Sequence, residues 1–143
     1  MKMIRTAFLL LLCATLGMAA AIAAEREEKV VYHINDSAVA SAALANIRNH
    51  LNASPKAKIV VVTHGPGIDF LLEGAKNKTG NPYDAVVQEL VNRNVEFRVC
   101  NNTLESRKID KKDVIPEATI VPSGVAEVCL LYTSPSPRDK RQS

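Results

Sequence analysis

Tryptophan is absent from this 143-residue chain, and aromatic residues make up only 4% of it. Phe70, Phe97, Tyr32 and Tyr83 all fall at core-like positions, which leaves little to stack on a flavin, and no cofactor is expected. Histidine is also sparse. His33, His50 and His64 form no ligand-spaced pair with one another or with Cys100, so no metal site is expected. Internal repeats are lacking too, which excludes a repeat architecture.

Cysteine occurs three times, and position decides what each one means. Cys13 lies within MKMIRTAFLLLLCATLGMAAAIAA, where Lys2 and Arg5 form a positive n-region and Ala7 to Leu16 an apolar h-region. Ala21-Ile22-Ala23 is a small-x-small cleavage site, so residues 1–23 read as a signal peptide and the mature chain is expected to begin near Ala24. A retained membrane anchor is the alternative, since the apolar run is long enough for one.

Cys129 opens the tail CLLYTSPSPRDKRQS. Ser123 reads as the N-cap of a helix that should run on past Val128, yet Thr133-Ser134-Pro135-Ser136-Pro137 cannot be helical. The stretch from Cys129 to Asp139 resembles the translation of a transposon-end adapter used in sequencing libraries. Residues 129–143 are therefore expected to be non-native, with the natural chain after Val128 missing. A genuine disordered basic tail is the alternative.

The formal charge of +3 comes from the two ends. Taking Lys2, Arg5, Arg138, Lys140 and Arg141 from the 18 basic residues and Asp139 from the 15 acidic ones leaves 13 against 14. No basic field for nucleic acid or an anionic membrane survives. Residues 24–128 are enough chain for one domain with one core. They hold one cysteine, Cys100, which excludes an internal disulfide. A lone thiol in an exported chain points to intermolecular pairing or to reactivity.

KVVYHIN, Lys29 to Asn35, reads as a strand. Asp36 or Ser37 then caps a helix with Val39, Ala43, Ile47 and Leu51 on one face and Ala40 and Leu44 beside it. AKIVVVT, Ala57 to Thr63, is a continuous apolar run of the kind buried on both faces of a parallel sheet. Past His64-Gly65-Pro66-Gly67, the spacing of Ile68, Leu71, Leu72 and Ala75 predicts a short helix. Asn81 as cap, with Pro82 at the first helical position, opens a helix that ends at Asn94. VEFRVC, Val95 to Cys100, is the third strand, and Asn102-Thr103-Leu104-Glu105 is a capping box for the next helix. Asp110 caps a further turn, and Ala118 to Val121 is the fourth strand. Strands alternating with helices predict a three-layer α/β domain with a mainly parallel sheet.

Ligands of such sheets bind beyond the carboxyl ends of the strands, at the switch in strand order. The residues there are Asn35 and Asp36, His64 to Gly67, Cys100 to Asn102, and Pro122 to Gly124. Cys100 ends its strand just before a helix start, whose unpaired N–H groups and dipole favour a thiolate. His64, at a neighbouring strand end, is a candidate proton acceptor or cationic neighbour. Each has a plainer explanation. A strand-end cysteine is often a small apolar filler, and a histidine before glycine is often a turn residue. The glycines of Gly65-Pro66-Gly67 fit a tight turn as well as an anion nest.

VVYHIND, KIVVVTHGPGIDFLL, NPYDAVVQEL, VEFRVCNNTL and VIPEATIVPSGVAE together resemble the DsrE/DsrF-like family in its small, exported, single-domain form. The resemblance runs from about Lys29 to Val128, and VCNNTL and THGPGIDFLL are its most specific parts. It implies a flavodoxin-like three-layer sandwich that assembles into homo-oligomers. It also implies that Cys100 accepts and passes on sulfur as a persulfide, with His64 and Asn101 as neighbours. The family's usual last strand, after the final helix, has no counterpart in this sequence.

Three readings follow. The first is a periplasmic sulfur-handling protein that relays sulfane sulfur on Cys100 between donor and acceptor proteins. The second is a binding module whose Asn35, His64, Gly65, Gly67 and Asn102 hold a small anion or cofactor, with the thiol incidental. In the third, an oligomeric structural protein merely packs Cys100. N-x-S/T sequons begin at Asn35, Asn52, Asn77 and Asn101, and glycans on the first and last would cover the site. A bacterial periplasmic protein without such glycans is therefore expected.

Overall fold

The computed structural model describes residues 28–133, so the expected signal peptide and the tail beyond Thr133 lie outside the described residues. Strand β1 is Lys29–Ile34. Asp36 then accepts a hydrogen bond from the Ala38 amide at 2.8 Å and opens a 3-10 turn, Ser37–Val39, that runs into helix α1, Ala40–Ala53. Strand β2, Lys58–Thr63, leads to a 3-10 segment, Gly65–Leu71, and later to helix α2, Asp84–Val91. Strand β3, Glu96–Cys100, passes without a loop into helix α3, Asn101–Arg107. Strand β4, Ala118–Val121, and helix α4, Gly124–Thr133, follow.

The four strands pair in parallel in the order β1-β2-β3-β4. Register puts Val61 between Tyr32 and Phe97, and Cys100 beside Val121. When successive strands are also neighbours, right-handed crossovers must all pass over the same face. Leu44, Ile47 and Leu51 of α1, Val87 and Leu90 of α2, and Leu104 of α3 accordingly form one core with Ile34, Ile59, Val61, Phe97 and Val99. Helix α4 covers the opposite face. Arg98, out of phase with Phe97 and Val99, points there and pairs with Glu127 of α4 and with Glu96. Val62 is fully buried outside the first core, as expected of a strand covered on both sides. The result is the expected three-layer α/β sandwich.

Four local expectations change. The strand order never reverses, so there is no switch point to mark the site. Helix α2 starts at Asp84 with Tyr83 in the N-cap position, because Asn81 and Pro82 are drawn into a loop. Asn77 accepts the Asn81 amide at 2.9 Å, and Lys76 bridges to Pro82. After Gly67 the chain is 3-10, and Leu72 leaves it to bridge with Val114, so Leu72 and Ala75 share no helix face. The capping box also fails. Helix α3 begins one residue early with Cys100 in the N-cap position, and Glu105 accepts from the Asn101 side chain at 2.7 Å. Asn94 at φ 64 and Asp110, which accepts the Lys112 amide at 3.0 Å, behave as expected.

Candidate functional site

Strand β3 delivers Cys100 to the carboxyl edge of the sheet on the face shared with Arg98, where it is 5% exposed. Because the strand turns at once into α3, the amides of Asn102 and Thr103 and the Thr103 hydroxyl lie close enough to the Cys100 sulfur to favour its thiolate, while the Asn102 amide donates to the Pro122 carbonyl at 3.3 Å. The amide of Gly124 at the start of α4 acts in the same sense. The approach depends on glycine. A Cβ at Gly124 would lie 3.1 Å from the Thr63 carbonyl oxygen, 3.2 Å from Cys100 Cβ and 3.3 Å from His64 Cβ. Thr103 Oγ1 accepts the Gly65 amide at 2.9 Å, which leaves its own proton for the sulfur.

These contacts have a definite electrostatic sense. Burial pushes the Cys100 thiol up, but the Gly124 amide, followed by the Thr103 and Asn102 donors, outweighs it and brings the thiol below its ordinary range. The folded-state pKa is thus depressed. Ionisation of the thiol stabilises the fold above the unfolded-state value of about 8.5. That contribution is lost as pH falls through the lower folded value. Thr103→Val keeps the side-chain shape and removes one donor to sulfur, so the midpoint of alkylation rate against pH should rise. It also strands the Gly65 amide, at about 1–3 kcal/mol of stability. An unchanged midpoint would remove Thr103 from the site.

His64 is half-buried, and its ring stacks on His33 with centroids 4.6 Å apart and planes tilted by 34°. Burial, and then the neighbouring His64, hold the His33 imidazole below its usual range. The groups that set the ionisation of Cys100 do not include the His64 ring. Gly65, at φ +54, uses its amide on Thr103, and its carbonyl accepts from Arg107 at 3.3 Å. Gly67 gives its amide to the His64 carbonyl at 3.0 Å. Both amides are engaged within the chain, so these glycines close a turn. Asn35 is exposed at the end of β1. Asn101 donates to Glu105, while its own Oδ1 is buried without a partner.

The structure therefore gathers Cys100, Asn102 and His64 at one edge and ties Gly65 to them through Thr103. Sequence reasoning missed Thr103, Gly124 and His33. His33 had a signal, since the two-residue period of β1 sets it on the face opposite Tyr32 and Ile34. Gly124 lay among the strand-end residues, but nothing in sequence showed that its amide meets a sulfur.

A parallel three-layer α/β domain with a buried thiol at the carboxyl edge of its sheet, at the start of a helix, is thus the class of protein at hand. Residues 17–131 match the DsrE/DsrF-like family, and the chain belongs to that family. Among solved structures it is similar to MTH1491 from Methanobacterium thermoautotrophicum, described as a protein of unknown function. The identity is 27% and the TM-score 0.66, over 75% of this chain and 93% of that one. It is also similar to the ychN protein from E. coli, with 14% identity and a TM-score of 0.61, over 77% of this chain and 94% of that one. At that identity the second likeness concerns the fold alone. No curated protein matches the chain.

Proposed function

We propose that Cys100 accepts sulfane sulfur as a persulfide and passes it to an acceptor thiol. The observation that carries this reading is the placement of the buried Cys100 at the N-cap of α3 and against Gly124, where an added Cβ would lie 3.2 Å from Cys100 Cβ, an arrangement that holds the thiol below its ordinary range. Family membership supports a role in sulfur relay. In the transfer, the Cys100 thiolate attacks the outer sulfur of a donor persulfide, R–S–SH. A bond forms between Cys100 Sγ and that sulfur, the donor S–S bond breaks, and the donor leaves as its thiolate, which takes up the persulfide proton. Passing sulfur on repeats the exchange with Cys100 as the leaving thiolate, and no external oxidant is consumed. The same proposal has the mature chain act in the periplasm as a homo-oligomer that meets donor and acceptor proteins there.

The test is made in a Cys13→Ser/Cys129→Ser background, because Cys129 is an exposed free thiol. Incubated with glutathione persulfide, this protein should gain the mass of one sulfur atom and lose it on reduction. A further Cys100→Ser change should abolish the gain and preserve the fold. A second reading, in which Cys100 only packs, has its 5% exposure in its favour. An alkylation midpoint at or above that of a free thiol, with no sulfur gained, would establish that reading instead.

A further inference from the structure

A cleft of about 460 Å³ opens between the start of α1, the 3-10 segment after β2 and the loop that precedes α2. Its volume falls within the roughly 300–1,000 Å³ usual for small-molecule sites. Phe70 and Tyr83 line it, with ring centroids 5.6 Å apart, and both are buried. The Tyr83 hydroxyl meets that of Ser41 at 3.2 Å. Lys76 and Lys78 come from the loop, whose shape is set by Asn77. The Asn77 side-chain oxygen accepts the Thr79 amide at 3.0 Å, the Thr79 hydroxyl at 2.8 Å and the Asn81 amide at 2.9 Å.

Charge here is unbalanced. Neither lysine side chain has an ion pair or hydrogen bond among the described residues. Asp69, the carboxylate on the wall, is already neutralised by Arg107 at 2.6 Å. Two exposed lysines without an ion-pair partner among the described residues thus line, from a loop ordered by Asn77, the same cleft as Phe70, Tyr83 and Ser41. We propose that this cleft binds a small organic anion, with its carboxylate, sulfonate or phosphate at Lys76 and Lys78 and its apolar body against Phe70 and Tyr83. The site lies at the carboxyl ends of β1 and β2, and it is separate from the thiol, so it stands or falls independently of the sulfur chemistry.

The test titrates the isotope-labelled full chain with benzoate, benzenesulfonate and phenyl phosphate, and with neutral benzenesulfonamide, while amide resonances are followed. An anion should shift the amides of Lys76 to Thr79 and of Ser37 to Ser41, and the three headgroups compared will identify the preferred one. Lys76→Ala/Lys78→Ala should weaken binding about tenfold or more, as expected for loss of charge-assisted hydrogen bonds. Tyr83→Phe, which keeps the floor, should weaken it a few-fold. Shifts equal for the neutral sulfonamide, shifts centred on α4, or none up to ~10 mM probe would overturn the proposal.

Discussion

Val61→Asp should leave the chain unable to fold. Val61 is 0% exposed and sits in the second of four parallel strands, between Tyr32 and Phe97 on the face covered by α1, α2 and α3. A carboxylate there has no water and must either stay charged without a partner or take up a proton. Either course costs several kcal/mol, against a total stability of roughly 5–15 kcal/mol. The variant should accumulate as insoluble protein and show no cooperative transition in urea. Soluble Val61→Asp protein that unfolds cooperatively would mean that β2 is not a central strand.

Gly67→Ala should be the most damaging single-methyl change in the domain. Its added Cβ would lie 2.2 Å from the Ile34 carbonyl oxygen, 2.7 Å from the Ile34 carbonyl carbon and 2.8 Å from Asn35 Cα. All three are backbone atoms at the end of β1, and none can rotate away as a side chain could. The 3-10 segment must then lift off the strand end and carry Gly65, and with it the Thr103 contact, out of place. A loss of about 2–4 kcal/mol is expected from overpacking of this kind. Gly74→Ala provides the control. Gly74 has φ +72 with nothing within 4 Å of an added Cβ, so it should lose only the about 1 kcal/mol of backbone strain. Urea midpoints compare the two directly, and equal losses would show that the close approach at Ile34 is wrong.

Gly67 illustrates how readable the strand edge was. Sequence reasoning left this glycine between a tight turn and an anion contact, whereas the structure uses it to let two backbones meet. The ambiguity has a physical source. A glycine that accommodates a ligand and one that accommodates a neighbouring strand look alike in sequence, because both merely lack a Cβ. The helix starts misread at Asn81 and Asn102 have a similar origin. In each case a competing local bond set the backbone: the Asn81 amide donates to the Asn77 side chain at 2.9 Å, and the Asn102 amide donates to the Pro122 carbonyl at 3.3 Å.

By itself the sequence determined the four strands and the placement of Cys100 at a strand end before a helix, together with Ile47, Leu51, Val87 and Leu90 as buried helix positions. Those features rest on periodicity and on neighbours along the chain, which are local information. Only the tertiary structure decided the monotonic strand order, the stacking of His33 on His64 and the meeting of Gly124, Thr103 and Cys100. The groups that favour the thiolate come partly from the adjoining helix start, Asn102 and Thr103, and partly from Gly124, which is remote in sequence. Their convergence depends on how tightly α4 and the Gly65 turn settle over the sheet edge, and that is a property of packing.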